Sequence, residues 1–380
     1  MLVKKAFKLI GAILAAAMLS GCIPHTELDE KAIILAIGID YEDEEYSVTF
    51  QHYSPTGLGG QALVDNSQPN VLTSSGKGKD VYEALENASV KCGKELMLGV
   101  TQIIIIGEDA AKNSVADVMD FSQSFFQCHP DMLVAVAEGK AEDCMQVKFS
   151  EGIASTQKLK YLLQNAENRG LIILPAALDL FIALQTEQQS ACLPRLKLIE
   201  DGKSDASEDG KSIEISGGVL LKDGKAQDNA DMDTMKGLQL IDGSANETTV
   251  TFEHEGEAVS VGLIGIKHKI TPIFREDKLI FQVKLTGGGR YFTTPTDGFN
   301  KENNRITERE CDEKLTEIMQ TATENTVLKY GADPINLERT VRHHDYKLWE
   351  QLKDNWEETL KDCEFRFEVE VNIDRISLTE

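Results

Sequence analysis

GVTQIIIIGEDAAKN, residues 99–113, places four consecutive isoleucines between two glycines. A run this short and this rich in β-branched residues predicts a strand, and the absence of polar residues within it predicts burial on both faces. The sequence also predicts that a helix follows this strand. A fully buried strand followed by a helix is typical of an α/β region, so this stretch sets the fold expected for the first half of the chain.

The rest of the first half also alternates between strand and helix patterns. The predicted elements are a strand hairpin over residues 31–55, a polar loop over 58–79, a helix over 81–97, a helix over 114–127, a strand over 131–139, helices over 155–168 and 176–188, and a strand over 192–200. Together they predict an N-terminal α/β region over residues 22–200, in one or two subdomains.

The sequence changes in character near residue 200. Residues 201–211 are poor in apolar residues and rich in Gly, Ser and Asp, which predicts a linker or a long hairpin loop at a domain boundary. Residues 212–380 then predict a C-terminal α+β domain with antiparallel strands, a long helix and a final strand. For the whole chain we expect a multidomain α+β fold with mixed and antiparallel sheets and packed helices.

Local patterns place the elements of this second half. Residues 212–227 predict a hairpin with Asp223-Gly224 as its turn, because an Asp-Gly pair tolerates positive φ. Residues 307–330 predict a helix that Gly331 ends, and residues 364–377 alternate strictly, as expected for a strand.

Trp349 and Trp356 are seven residues apart, which puts them on one face of a helix predicted over residues 346–360. Such a stripe is more often part of the core, and a partner-binding face is the alternative.

The N-terminus has the three parts of a signal peptide. Lys4, Lys5 and Lys8 are basic, residues 9–19 are apolar but short for a bilayer span, and small residues then lead to Cys22. Leu19-Ser20-Gly21-Cys22 resembles the bacterial lipobox, in which the cysteine thiol receives a diacylglyceryl group and becomes the new N-terminus. We therefore expect residues 1–21 to be a lipoprotein signal peptide and Cys22 to be the lipid attachment site. An ordinary secreted protein is the alternative.

The chain carries a formal net charge of −24. Because residues 1–21 contain three lysines and no acidic residue, the remainder carries −27. Such an acidic surface argues against nucleic-acid binding and against adhesion to anionic lipid headgroups by charge alone. Lipid would therefore have to provide the anchoring, with or without a membrane partner.

Six cysteines remain beyond Cys22, scattered through predicted helices and strands. They are Cys92, Cys128, Cys144, Cys192, Cys311 and Cys363. An even number in an exported protein permits disulfides, and the spacing is equally compatible with buried free thiols. No Cys/His cluster has ligand spacing, so no zinc site is predicted.

The candidate motifs for catalysis or nucleotide binding are incomplete. SSGKGKD, residues 74–80, lacks the first glycine and the final Ser/Thr of a phosphate-binding loop and is interpreted as a flexible helix entry. TGGGR, residues 286–290, is interpreted as a turn or a disordered loop. His343 and His344 are adjacent, and neighbours on a helix point about 100° apart, which makes them poor joint metal ligands. The sequence predicts no catalytic, cofactor-binding or metal-binding residue, and no enzymatic activity.

Three segments carry a resemblance to a known family. They are ELDEKAIILAIGIDYEDEEYSVTFQ at residues 27–51, GGVLLKDGKA…GLQLIDG at 217–243, and KYGADPINLERTVRHHDYKLWEQLKDNWEE at 329–358. In their order and spacing the chain resembles the Ger(x)C family, the lipoprotein C subunits of spore germinant receptors. One departure is visible: the family commonly has tryptophan directly after the lipidated cysteine, and this chain has Ile23 and then Pro24.

The resemblance implies a non-enzymatic role on the outer face of the spore inner membrane. The expected partners are an integral-membrane A subunit and a transporter-like B subunit, which together with the C subunit respond to nutrients and trigger germination. The family has no catalytic residues to carry over, and only Cys22 transfers, as the lipid attachment point. The nutrient, and whether this subunit touches it, stay open.

Two other functions are compatible with the residues alone. The first is a solute-binding lipoprotein that delivers a small ligand to a transporter, which the acidic surface and the α+β pattern allow. The second is a lipid-anchored enzyme such as a wall hydrolase, for which no set of residues can be nominated.

Overall fold

The computed structural model describes residues 30–53, 71–124, 128–147, 149, 155–186, 189–200, 210–293 and 301–373. Within these residues the chain forms a nine-stranded sheet and a four-stranded sheet, each covered by helices. The predicted α+β class, with mixed sheets and packed helices, is confirmed.

The larger sheet is mixed. Its strands are β1 (Lys31–Glu42), β2 (Glu45–Tyr53), β3 (Val71–Gly78), β4 (Glu95–Met97), β5 (Ile103–Gly107), β6 (Leu133–Ala137), β7 (Ala191–Glu200), β8 (Lys211–Lys222) and β9 (Lys225–Ala230). Their order is β3-β2-β1-β5-β6-β7-β8-β9, with β4 beside the start of β1. β1, β5, β6 and β7 run parallel, whereas β2, β3, β8 and β9 join through antiparallel pairs.

Helices cover both faces of this sheet. They are α1 (Val81–Cys92), α2 (Glu108–Ser124), α3 (Ala141–Gln146), α4 (Ser155–Asn168) and α5 (Ala177–Leu184). Ile104 and Ile106 pack in one cluster with α1, α2 and α5, while Ile103 and Ile105 pack in another with α3 and α4. All four isoleucines are 0% exposed, which confirms the predicted burial of this strand on both faces.

The second sheet has the order β10-β11-β12-β13, and its first three strands are antiparallel neighbours. The remaining elements are α6 (Met232–Asp242), β10 (Glu247–His254), β11 (Glu257–Arg275), β12 (Lys278–Tyr291), α7 (Lys301–Thr323) with a following π-helical turn (Glu324–Leu328), α8 (Leu337–His344), α9 (Tyr346–Leu352), a 3₁₀ turn (Lys353–Asn355), α10 (Trp356–Asp362) and β13 (Glu364–Ile373). α7 packs against α6 and β13, and its buried residues join the cluster of Ile103 and Ile105. The two halves of the chain therefore share one hydrophobic core.

The sheet continues across the predicted boundary near residue 200. β7 and β8 pair antiparallel, from Ala191 opposite Leu221 to Glu200 opposite Lys211. The strands on either side of residues 201–209 therefore belong to one sheet, and residues 201–209 lie outside the described part. The division into domains at residues 201–211 stays a prediction, as does the number of subdomains before it.

Two expectations about residues 58–97 are wrong. The predicted polar loop contains β3, which pairs with β2 at an edge of the sheet, while residues 54–70 lie outside the described part. The helix predicted over 81–97 ends at Cys92, because Gly93 adopts the left-handed conformation (φ 67°) and its N–H donates to the Ser89 carbonyl. Residues 95–97 then form β4 instead of a last helical turn.

Residues 286–290 are also not the turn or disordered loop that the sequence predicts. They form part of β12, paired on both sides with β11 and β13. A Cβ at Gly289 would lie 2.9 Å from Ile373 Cγ1 and 3.1 Å from Val261 Cγ1, so neighbouring side chains fill the space above the glycine. The glycine run serves packing within a sheet.

Three helices are missing from the sequence interpretation: α3, α6 and α8. α2 starts at Glu108, six residues before the predicted helix, and Ser114 interrupts it with extended backbone (φ −170°, ψ 110°). The predicted stop after α7 is confirmed, since Gly331 has φ 65°.

The tryptophans and cysteines are structural. The rings of Trp349 and Trp356 meet edge to face at 5.2 Å and both are buried, so the stripe belongs to the core and is not a partner-binding face. The six cysteines beyond Cys22 are unpaired thiols, four of them buried. Among the described helices, none combines the length and the apolar character needed to cross a membrane.

Gly237→Ala is expected to destabilise the protein at the contact between α6 and α7. A Cβ at this position would lie 2.5 Å from both Ala322 Cβ and the Ile318 carbonyl oxygen, and backbone cannot give way as a flexible side chain can. The expected loss in free energy of unfolding is about 1–3 kcal/mol. Urea denaturation measures it, with Gly288→Ala as the control.

At Gly288 the nearest atom to an added Cβ is 3.7 Å away, so that control should change stability little. Equal stability of the two variants would contradict the close packing of α6 on α7.

Candidate functional site

Cys22, the site residue that the sequence predicts, lies outside the described residues. The structure does show where the segment behind it enters the fold. β1 begins at Lys31, beside the start of β4 and at the end of the sheet where the parallel strands β5, β6 and β7 begin. A chain held at Cys22 would therefore be held from this end of the larger sheet. Lipidation of Cys22 stays a prediction.

A cleft, which we call the inter-half cleft, lies between the two halves of the chain. Segments within residues 167–192, 242–244 and 333–342 line it. Its volume is about 410 Å³, within the range of pockets for small ligands. These segments are far apart in the sequence, so no local pattern indicates the cleft.

Apolar and charged groups line different parts of the inter-half cleft. Leu174 and Leu180 are buried beneath it, and Ile182 on α5 leaves 56% of its surface exposed at the wall. Arg339 and Arg342 lie on α8, one turn apart. Arg342 is 3.8 Å from Glu338, whereas Arg339 has no ion partner among the described residues. Arg339 thus offers a guanidinium group that is available to an anion.

Carboxylates also line the inter-half cleft. Asp242 ends α6 and Asp179 lies on α5, and the two repel each other. Burial within the wall raises the pKa of Asp242, and the Asp179 charge adds to the rise, while Ser244 and His268 oppose it. Burial also raises the pKa of Glu167. A cation in this part of the cleft would relieve the unfavourable placement of these acids.

The charged groups that line the inter-half cleft suit the binding of a charged molecule. Cys192 lines it, but burial raises the pKa of its thiol to about 12, so the thiol stays protonated near neutral pH. The described lining residues include no histidine that could act as a general base for Ser190. Across the described part of the chain, no three His, Cys, Asp or Glu residues come together as a metal site.

A second, smaller pocket of about 170 Å³ lies at the opposite end of the larger sheet. Its charged groups are already paired: Lys112 is 2.7 Å from Glu108, and Arg195 is 3.8 Å from Glu138. It therefore offers less to a ligand than the inter-half cleft does.

The segments that carry the family resemblance have structural roles around these sites. In YGADP, residues 330–334, Gly331 ends the helical run, and a Cβ there would lie 2.5 Å from Glu357 Cγ on α10. The Tyr330 hydroxyl donates a hydrogen bond to Asp228 on β9. This short segment ties α7 to β9 and α10, and it carries the chain to α8 and the arginines of the cleft.

Two buried aspartates cap helices. Asp333 caps a helix that begins just beyond Pro334, and Asp40 caps a helix that is far from it in the sequence. Asp333 accepts the N–H groups of Leu337 (2.7 Å) and Glu338 (2.8 Å) at the start of α8. Asp40, in the GID segment of β1, accepts those of Ala141 (2.7 Å) and Glu142 (3.1 Å) at the start of α3. The sequence interpretation missed both caps. For α8, the aspartate four residues before its first residue is a local feature that could have indicated the start of a helix.

Burial raises the pKa of Asp333 to about 6, against the opposing effect of the two N–H donors. The indole N–H of Trp356 also lowers the pKa of Asp333. Its geometry does not meet that of a hydrogen bond. Burial likewise raises the pKa of Asp40.

His343 and His344, by contrast, are exposed on the last turn of α8.

Two family models match the chain in succession. The model described as "Spore germination protein N-terminal domain" matches residues 24–198, and the one described as "Spore germination B3/ GerAC like, C-terminal" matches residues 216–377. Together the two ranges cover most of the sequence.

Curated relatives match over nearly their full lengths. The chain is 21% identical over 368 residues to "Spore germination protein B3" of Bacillus subtilis (strain 168), covering 93% of this chain and 94% of that protein. It is 23% identical over 378 residues to "Spore germination protein KC" of the same organism, covering 94% and 92%. A solved structure, the crystal structure of the GerBC protein, superposes with a TM-score of 0.59 at 17% identity, covering 89% of this chain and 97% of that one. That structural likeness supports the fold.

Asp333→Asn is expected to change how stability depends on pH. Because burial raises the pKa of Asp333 from 3.8 to about 6, the native protein binds this proton more tightly than the unfolded chain does. The contribution of Asp333 is present below about pH 4 and is lost as the pH rises through about 6. The free energy of unfolding of the wild type relative to the variant should therefore fall by up to about 3 kcal/mol over this window.

Urea denaturation of both proteins near pH 4 and pH 7 measures this change. A stability difference that is the same at both pH values would contradict the assignment of a raised pKa to Asp333.

Proposed function

The chain belongs to the GerAC-like family of spore germination proteins, and from this premise we propose that it is a lipid-anchored, non-catalytic subunit of a spore germinant receptor. The observation that carries the proposal is the match of both family models, in order, over residues 24–198 and 216–377. In this role the protein acts in the nutrient-triggered germination response beside an integral-membrane A subunit and a transporter-like B subunit.

The position of Cys22 supports the lipid anchor. Eight residues separate Cys22 from the start of β1 at Lys31. An extended chain of that length spans roughly 30 Å at most. A diacylglyceryl group on Cys22 would thus keep the larger sheet close to the outer face of the spore inner membrane. Two acyl chains anchor stably where one binds only marginally, which suits a protein whose acidic surface gains little from anionic lipids.

The proposal of a non-catalytic role draws on the character of the inter-half cleft. The Cys192 thiol is held protonated by burial, and carboxylates and guanidinium groups both line the opening. These groups can bind and orient a charged molecule, and the described lining residues include no histidine to activate a nucleophile for acyl transfer.

Deletion of the gene is expected to abolish germination with at least one nutrient, and a Cys22→Ala chain should fail to restore it. The thiol of Cys22 is the only acceptor for the diacylglyceryl group in the lipobox, so this variant should also leave the membrane fraction. Germination across a panel of amino acids and sugars, together with membrane fractionation, measures both effects.

Cys92→Ala is the matched control, because Cys92 is a free cysteine in α1 and lies outside the lipobox. A chain with this substitution is expected to restore both germination and membrane retention. Normal germination of the deletion strain with every nutrient would contradict the receptor role. Retention of Cys22→Ala in the membrane of a strain that lacks the A and B subunits would contradict the anchor.

A second candidate function is the delivery of a small ligand to a transporter, and the inter-half cleft favours it. Carboxylates and guanidinium groups in one cleft suit a small zwitterion, with an ammonium group near Asp242 and a carboxylate near Arg339. A cationic group near Asp242 would also reduce the unfavourable placement of that carboxylate.

Titration calorimetry of the full-length protein in detergent against amino acids and neutral sugars tests this candidate. Tight one-to-one binding of an amino acid that weakens about tenfold or more in Arg339→Gln would support it. Arg275→Gln, on the exposed end of β11, is the control and should bind as the wild type does. An absence of heat with every compound would contradict ligand delivery by this protein alone.

A further inference from the structure

The outer edge of the four-stranded sheet is covered along only part of its length. β13 pairs with β12 on one side, and α7 lies on the other. At the end of β13, the N–H of Val371 donates to Asp312 Oδ1 at 2.9 Å, and the N–H of Ile373 donates to Glu308 Oε1 at 2.9 Å. Side chains of α7 thus occupy the positions that a further strand would take at residues 371–373.

The first part of the same edge has no such cover. In a parallel ladder, the residues that bond to one neighbour alternate with those that face the other side. Because Val371 and Ile373 face α7, and the pairing with β12 shows no register shift, Phe365, Phe367 and Val369 also present their N–H and C=O groups away from β12. Among the described residues no side chain bonds to these groups. Residues 364–369 are therefore open to pairing over about 20 Å.

An open groove lies along this uncovered edge, between α7 with its π-helical turn and residues 367–369 of β13. We call it the α7–β13 groove. It has a volume of about 660 Å³, and Phe367 and Val369 supply its apolar part. Both of these side chains pack only partly into the core, which leaves apolar surface for an alternating strand to cover.

The charge of the groove is strongly one-sided. Its lining carries the five carboxylates of Asp312, Glu313, Glu317, Glu324 and Glu368. Arg309, at 3.6 Å from Glu313, is the one basic residue among the described lining residues. Outside the lining, Lys314 and Lys284 each pair with one of these acids and compensate the charge only in part. Burial raises the pKa of Asp312 to about 6, with Glu308, Glu370 and Glu313 adding to the rise.

We propose that the α7–β13 groove docks an extended, basic segment of a partner protein, which adds to the sheet as a fifth strand beside residues 364–369. Main-chain hydrogen bonds to Phe365, Phe367 and Val369 hold the segment, as in other cases of strand addition at a sheet edge. Its Lys or Arg side chains face the carboxylates of α7, and alternate apolar side chains cover Phe367 and Val369. This inference does not depend on the lipid anchor or on the receptor role.

Charge disfavours a second copy of this chain as the occupant. Two β13 strands side by side would bring Glu364, Glu368 and Glu370 of each copy together, and within the strand Arg366 is the one residue that offsets them. Like charges directly opposite each other destabilise a strand pair. The same acidity disfavours nucleic acid and anionic lipid, so a basic protein segment is the complementary partner.

A blocked nonapeptide of alternating lysine and valine is the probe, and a glutamate–valine nonapeptide is its counterpart. Both are titrated into the full-length protein in detergent, and hydrogen exchange locates the bound peptide. The basic peptide should bind and slow exchange at residues 364–369. In Glu324→Lys/Glu368→Lys its affinity should fall about tenfold or more, and the acidic peptide should then bind in its place.

Glu86→Lys/Glu95→Lys is the matched control, because it changes the net charge equally at exposed positions on α1 and β4. It should leave binding of the basic peptide unchanged. Val369→Pro, which removes an N–H that faces the groove and not β12, should also abolish binding, since an edge position tolerates proline. If that variant does not fold, the test is whether Glu324→Lys/Glu368→Lys binds the acidic peptide in place of the basic one.

Three results would overturn the proposal. They are no binding of the basic peptide, equal loss of affinity in both charge-reversed proteins, and protection by the peptide at a region other than residues 364–369.

Discussion

Burial of β5 on both faces is the constraint that the rest of the structure depends on. Its four isoleucines point alternately to opposite sides of the larger sheet, so each side must be closed by other elements. α1, α2 and α5 close one side. α3 and α4 close the other, and their cluster continues without a break into the core of the second half, where α7 and the paired tryptophans lie. A strand of five residues thereby ties both halves of the chain to one core.

This shared core explains where the two surfaces of interest occur. The inter-half cleft lies where segments of the first half meet α6 and α8, and its opposite charges are brought together only by that meeting. The α7–β13 groove lies at the outer edge of the second sheet, beside the strand whose end α7 caps. We propose a small charged molecule for the first surface and a basic polypeptide for the second, and the two surfaces share no described lining residue.

Sequence patterns predicted the features that depend on neighbours along the chain. The β-branched run at residues 103–106, the Asp223-Gly224 turn, the stop at Gly331 and the tryptophan stripe all follow from local preference and periodicity. β3 and the glycine run of β12 were missed because Ser, Thr and Gly favour turns locally. In the folded protein, pairing with strands from elsewhere in the sequence overrides that preference.

By itself, the sequence determined the buried strand and the acidic surface, and it carries the expectation that Cys22 holds lipid. Each depends on residue type and on the spacing of residues that are close together in the sequence. Tertiary structure alone decided that Asp40 and Asp333 cap helices, that acidic and basic groups meet in one cleft, and that part of an edge strand has no pairing partner among the described residues. The physical reason is that these features depend on groups that are distant along the chain. Hydrophobic burial determines which of those groups meet, and no periodic pattern in the sequence records the result.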